Sequence, residues 1–205
     1  MSIDESLVAT FTHEPIFRLY TWEKNSFTLG RFQNIQELKH RDQYGTNHAK
    51  RPTGGGLLLH GCDVSYTIIM PIDLFGKRNV KESYEYLCSF LINFYSKLGL
   101  NVAYAKDIMN IKTSKSFFCQ EGFEDYDIVI DGKKIGGNAQ KRTKELIHQH
   151  GSIPLRDDNR EFAGHSLKEF GINLSEEEAK KLLKESFVET YQATLRDENY
   201  DTSRI

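Results

Sequence analysis

Three consecutive glycines, Gly54, Gly55 and Gly56, run directly into three leucines in the stretch KRPTGGGLLLH at residues 50–60. Glycine loses more backbone freedom on folding than any other residue. A cluster of three beside the most apolar run of a chain therefore marks a place where the backbone turns sharply or comes very close to something. A second cluster, Gly136 and Gly137, sits in DGKKIGGNAQKR at residues 131–142. Each has a basic residue beside it, Arg51 and Lys134. Glycine-lined backbone leaves N–H groups open to an extended ligand, and the basic residues would supply positive charge for a carbonyl, carboxylate or phosphate. The ordinary structural alternative is bulged strands with solvated charges. It is the better reading of the Lys134 segment alone, whereas two such segments in one small domain favour a ligand. Neither cluster is a phosphate loop of the GxxxxGK[ST] type or a GxGxxG fingerprint.

The remaining chain alternates short strand and helix signals without a long linker or internal repeat. Residues 16–20 (IFRLY) and 26–30 (SFTLG) read as strands, and 34–45 (NIQELKHRDQYG) as a short polar helix. Residues 57–60 and 64–70 read as strands joined in a tight hairpin by Gly61, Cys62 and Asp63. Over residues 80–98, Tyr84, Leu87, Cys88, Leu91, Phe94, Tyr95 and Leu98 share one helical face, with Gly99 as C-cap. Further strands are expected at 101–105, at 126–130, through IGGNAQ after a turn at Asp131 and Gly132, and at 145–155. Capping boxes at Ser2 to Glu5 and Ser175 to Glu178 open a first helix reaching about Phe11 and a last one reaching about Ala193. These signals predict one α+β domain over residues 1–205, with a mixed, mostly antiparallel sheet flanked by helices.

Composition narrows the function classes. The 205 residues are 39% hydrophobic and 27% charged, ordinary for a soluble globular chain. A net charge of −2 argues against a nucleic-acid-binding surface. No apolar run approaches the roughly 20 residues that span a bilayer, so no membrane partner is expected. Asp4 and Glu5 stand where a secretory signal would carry bases. Cys62, Cys88 and Cys119 are too widely spaced for a disulfide framework or a CxxC metal site. The expected compartment is the cytoplasm, with reduced thiols.

Among single residues Cys119 matters most. Free cysteine is usually a small buried hydrophobe, which fits Cys88 on its apolar helix face. Cys119 instead follows Lys112 and Lys115 in a polar, loop-like stretch where a thiolate could be stabilised. His148 and His150 alternate in a strand and share a face, but two histidines fall short of a zinc site, and no metal is expected.

Taken together, Arg51-Pro52-Thr53-Gly54-Gly55 with His60, and residues 131–142 with His150-Gly151-Ser152-Ile153, resemble the two ordered motifs of the lipoate–protein ligase and octanoyltransferase superfamily. Residues 14–34 resemble its early strand pair, so the resemblance covers most of residues 1–155. It implies the catalytic fold shared with biotin ligases, although the GRGRxGR loop of the latter is absent. Tyr126-Asp127 stands where ATP-dependent ligases usually carry Asn-Asp. Cys119 has the spacing to residues 131–134 of the nucleophile in the cysteine-dependent octanoyltransferase branch, and the single helix after Ser175 leaves no room for the accessory domain of many ligases.

The resemblance thus implies an octanoyltransferase with Cys119 as nucleophile and Lys134 holding the acyl carbonyl. Arg51, Thr53, Gly54, Gly55, Gly56, His60, Gly136, Gly137, Ala139 and His150 would form the substrate pocket. Octanoyl-acyl carrier protein would be the donor, and lipoyl domains of 2-oxoacid dehydrogenases or the glycine-cleavage H protein the acceptors, with no cofactor. The alternatives are a lipoate–protein ligase using ATP and Mg²⁺, and a catalytically silent acyl- or lipoyl-binding module. Two basic clusters, residues 39–41, 48, 50 and 51 and residues 133, 134, 141, 142 and 144, are the expected docking surface for acidic partner domains.

Overall fold

The computed structural model describes residues 1–108, 112, 114 and 116–198. In chain order the elements are α1 (Ser2–Ala9), β1 (Ile16–Thr21), β2 (Ser26–Leu29), β3 (Asn47–Lys50), β4 (Leu58–His60), β5 (Asp63–Pro71), α2 (Val80–Lys97), β6 (Val102–Tyr104), β7 (Ile128–Ile130), β8 (Lys133–Lys134), β9 (Gly137–Arg142), β10 (Leu146–Pro154) and α3 (Glu176–Tyr191). The strands form three sheets, ordered β1-β5-β10-β9, β3-β2-β4 and β6-β7-β8. Among the described residues the β2–β3 pairing is parallel and the other strand pairings are antiparallel.

Strand alternation decides where the core and the site lie. Side chains one residue apart point to opposite faces. In β5, Val64, Tyr66 and Ile68 face one way and join Phe90, Leu91 and Phe94 of α2 and Leu183 and Phe187 of α3 in the main core. Asp63, Ser65 and Thr67 face the other way and are buried nonetheless. The register extends this polar face across the sheet: Thr67 lies opposite Arg18 and His150, and Ser65 opposite Tyr20 and Ser152. A smaller core of Phe27, Leu29, Tyr44, Leu57 and Leu59 fills one side of the β3-β2-β4 sheet.

Several expectations are corrected here. The 57–70 hairpin does not form, since β4 pairs with β2 while β5 pairs with β1 and β10. Leu57 and Leu59 belong to the smaller core and Val64, Tyr66 and Ile68 to the main one, so the intervening turn carries the chain between sheets. Residues 34–45 form two separate 3-10 turns, at Ile35–Glu37 and Arg41–Gln43, interrupted by His40 at φ 52°; so short a polar segment cannot offset the cost of helix nucleation. The strand expected after Asp131 and Gly132 breaks into two, with β8 on β7 and β9 on β10. The capping box expected at Ser2 and Glu5 is not the helix start: Met1 is the N-cap and its side chain makes no cap bond, while Asp4 turns inward to accept from Arg18, Tyr20 and Thr67. The expected capping box of α3, at Ser175 and Glu178, is formed, and α2 carries a further one at Asn79 and Glu82.

Candidate active site

The polar face of the four-stranded sheet looks onto Thr28, Leu58 and His60 of the second sheet across a shared pocket. Cys119, Arg51, Trp22 and Gly137 also line it. Of the three leucines at 57–59, Leu58 turns to this pocket and its two neighbours to the small core, as alternation requires.

A continuous hydrogen-bond network surrounds the pocket. Asp63 is 3% exposed. Its Oδ2 accepts from His60 Nδ1 at 2.8 Å, Ser152 Oγ at 2.6 Å and Ser65 Oγ at 3.1 Å, and its Oδ1 from the Gly61 N–H at 3.0 Å. Burial alone would raise this carboxyl, but His60 and the converging donors outweigh it and hold Asp63 below the usual carboxylate range. His60 Nε2 lies 2.9 Å from Thr28 Oγ1, which also accepts from Arg51 Nη1 at 2.6 Å. Arg51 donates further to the carbonyls of Thr28 and Gly56. Burial lowers the proton affinity of Arg51, while negative charge on Cys119 acts in the opposite sense. Trp22 stacks on His60 at 4.6 Å and donates to Ser65 Oγ at 3.0 Å.

Close backbone approach explains the glycines. A Cβ on Gly56 would meet the Phe117 carbonyl oxygen at 2.4 Å and the Cys119 nitrogen at 2.8 Å. The segment carrying Cys119 therefore lies directly on the first glycine cluster, tied by Leu57 N–H to Phe117 O and Cys119 N–H to Leu57 O, both 2.9 Å. A Cβ on Gly137 would lie 2.8 Å from Cys119 Sγ. Gly137→Ala is accordingly expected to displace the thiol and slow its reaction with a small alkylating reagent by about 10- to 10²-fold. Timed alkylation with peptide mapping reads this directly, and an unchanged rate would remove the second cluster from the thiol's surroundings.

Lys134 is held on β8. It is buried, with Nζ 2.6 Å from Asp127 Oδ2 and donating to Gly122 O at 2.6 Å, and it is not among the residues lining the pocket. Among the described residues two of its three donors are engaged. Lys133 is exposed, as the strand period requires.

His148 and His150 do share the buried face, and Asp4 joins them so that one donor atom from each lies within 4.8 Å of the others. His150 Nε2 is 2.5 Å from Thr53 Oγ1, whereas neither nitrogen of His148 has a hydrogen-bond partner among the described residues. Burial lowers the pKa of both imidazoles, that of His150 strongly and with help from neighbouring His148, Arg51 and His60. In the unfolded chain an imidazole takes up its proton near pH 6.5. Below that pH the unfolded chain binds protons that the fold refuses. Stability should then fall by up to about 1.4 kcal/mol per pH unit for each imidazole, until the folded groups themselves protonate. Denaturant titrations between pH 7.5 and 5.5 test this. His148→Leu is expected to reduce the slope by up to one proton, and an unchanged slope would contradict the assignment.

The sequence-derived candidates divide accordingly. Cys119, Arg51, His60, Gly137, Ala139 and His150 line the pocket. Thr53 reaches it through His150, whereas Gly54, Gly55, Gly56 and Gly136 are not among the residues lining it, Gly56 lying instead against the segment that carries Cys119. Lys112 is exposed and Lys115 lies outside the described residues; among the described residues the basic side chain that lines the pocket with Cys119 as a guanidinium is that of Arg51. Burial of Arg51 and Lys134 removes both from the expected docking clusters, because neither can reach a partner's surface. Thr28, Asp63, Ser65 and Trp22 were missed. For Asp63 and Ser65 the signal was the alternate polar residues at 63, 65 and 67, inside a strand long enough to be a buried one; Thr28 and Trp22 carried none. Cys88 is in the core as expected, its thiol pushed up by burial.

Among the described residues no helix is long and apolar enough to cross a membrane. A model of the lipoyl protein ligase A/B catalytic domain matches residues 1–192. The octanoyltransferase LipM of Bacillus cereus is 34% identical over 172 residues, which is 77% of this chain and 61% of that protein; the match thus spans about three fifths of the relative's length. The fold is similar to a lipoate-protein ligase A structure with bound ATP, at TM-score 0.78 and 21% identity, covering 97% of this chain and 82% of the other. A bipartite lipoate protein ligase from Thermoplasma acidophilum, studied with its E2 lipoyl domain, matches at TM-score 0.74 and 19% identity over 97% and 80%.

Proposed function

Because the chain belongs to the lipoyl protein ligase A/B catalytic-domain family, we propose that it transfers an octanoyl group from acyl carrier protein to a lysine of a lipoyl domain or glycine-cleavage H protein, through a thioester on Cys119. The observation that carries this reading is the Cys119 thiol in a pocket beside the buried Arg51 guanidinium, against the backbone of both glycine clusters. The similarity to an octanoyltransferase supports the transferase branch.

In the first step the Cys119 thiolate attacks the donor's thioester carbonyl; a new C–S bond forms, the old one breaks, and the carrier's thiol leaves with a proton. The neutral amine of the acceptor lysine then attacks the acyl-cysteine. A C–N bond forms, the C–S bond to Cys119 breaks, and the thiol is regenerated. One thioester replaces another and the amide is lower in energy than either, so the cycle needs no nucleotide. Arg51 and the remaining N–H of Lys134 are the proposed donors to the developing oxyanion, each worth a few kcal/mol in such sites. The medium-length acyl chain lies along Leu58 and the glycine backbone.

The test is nucleotide dependence. Modification of a lipoyl domain should proceed from octanoyl-carrier protein without ATP. A requirement for free acid, ATP and Mg²⁺, with pyrophosphate release, would establish the ligase alternative, and inactivity in both assays the silent-binding one.

A further inference from the structure

The geometry points to Asp63 as a positioning residue that, through His60 and Thr28, holds the Arg51 guanidinium in the orientation in which it serves the Cys119 thiol. The inference rests on Cys119 being the reactive thiol of the pocket. Arg51 is 5% exposed, yet its hydrogen-bond partners among the described residues are uncharged: the Thr28 hydroxyl and the carbonyls of Thr28 and Gly56. A buried cation without a carboxylate on it depends on how its neutral partners are polarised.

The chain of contacts fixes that polarisation. Ionised Asp63 can only accept, so His60 Nδ1 donates to it. In the singly protonated imidazole, Nε2 then accepts from the Thr28 hydroxyl. The Thr28 hydrogen is thereby turned away from Arg51, and an oxygen lone pair is presented to Nη1. Each link sets the next in one direction, from carboxylate to guanidinium. Trp22 stacked on the ring and Arg160 donating to the His60 carbonyl hold the imidazole in place.

Asp63→Asn should reverse the chain. The amide oxygen must face the Gly61 backbone N–H, which cannot reorient, so the new NH₂ takes the place of Oδ2. There it confronts His60, whose only relief is the other tautomer. Nε2–H would then point at Thr28 Oγ1 and compete with Arg51 for it. The direct field of the substitution acts oppositely: removing a buried negative charge favours a nearby thiolate. The sign of the effect therefore separates positioning from a long-range charge effect.

The experiment is alkylation of Cys119 by iodoacetamide at neutral pH, with peptide mapping to separate Cys62 and Cys88. It uses no acyl donor, so it stands whether or not the transferase reading does. Asp63→Asn is expected to slow the reaction about threefold to tenfold. Arg51→Lys should slow it at least as much, and the double variant should be no slower than Arg51→Lys alone, because the two act through one group. Nitrogen-15 spectra should show the His60 proton moved from Nδ1 to Nε2 in Asp63→Asn. Thr28→Val should reproduce the loss, and Thr28→Ser should recover most of it; this pair decides the matter if Asp63→Asn fails to fold. An unchanged or faster rate in folded Asp63→Asn, an Arg51→Lys variant as reactive as the parent, or losses that multiply in the double variant would each overturn the inference.

Discussion

Replacing Cys119 with alanine is expected to reduce octanoyl transfer to below about 10⁻³ of the parent rate, because no acyl-enzyme can then form. The fold should tolerate the change. The local tie is the backbone bond from Cys119 N–H to Leu57 O, which is indifferent to the side chain, and the residue is only partly buried. Transfer assays from octanoyl-carrier protein to a lipoyl domain, alongside a thermal melt, separate the two quantities. A residual rate above about a tenth of the parent's would place the nucleophile elsewhere. Cys62→Ala, in the turn between sheets, should leave transfer intact.

The second large effect is expected at Lys134, where function and stability are entangled. Removing one oxyanion donor typically costs about 10²–10³ in rate. Lys134→Met also leaves Asp127 buried and without its cation, a loss of roughly 3–5 kcal/mol. The activity of the single variant would therefore be ambiguous. Adding Asp127→Asn removes the uncompensated charge while keeping the acceptor for the Glu124 N–H. The double variant is expected to regain most of the stability and none of the transfer. If transfer returns with stability, Lys134 is a structural partner of Asp127 and the oxyanion contacts lie with Arg51. Lys133→Ala, on the exposed face, should change neither.

How much of this was legible before the structure depends on the range of the signal. The long amphipathic α2 and the capped α3 are local, with their apolar periodicity and capping residues written within one turn of each other, and both formed close to the expected limits. The 57–70 pairing was not legible. Leu57 and Leu59 find Phe27, Leu29 and Tyr44 only after the chain has folded over a distance that no turn chemistry encodes. The same holds at Ile135, where a strand that reads as continuous is shared between two sheets. At the site, glycine clusters and a loop cysteine were visible because their chemistry is unusual in any context. Asp63 was hidden, since an acid two residues after Gly61 reads as turn chemistry until its carboxylate is found accepting from His60, Ser65 and Ser152. Lys134 was placed correctly in register, but its partner Asp127 could not be seen until β7 and β8 paired.

The most direct measurement of the central claim is the intact mass of the protein after brief exposure to octanoyl-carrier protein in the absence of nucleotide and acceptor. The account predicts one added octanoyl group, removed by hydroxylamine, mapped to Cys119 and discharged on addition of a lipoyl domain. An unmodified mass under these conditions, together with octanoyl-adenylate and pyrophosphate appearing when free octanoate, ATP and Mg²⁺ are supplied, would contradict it.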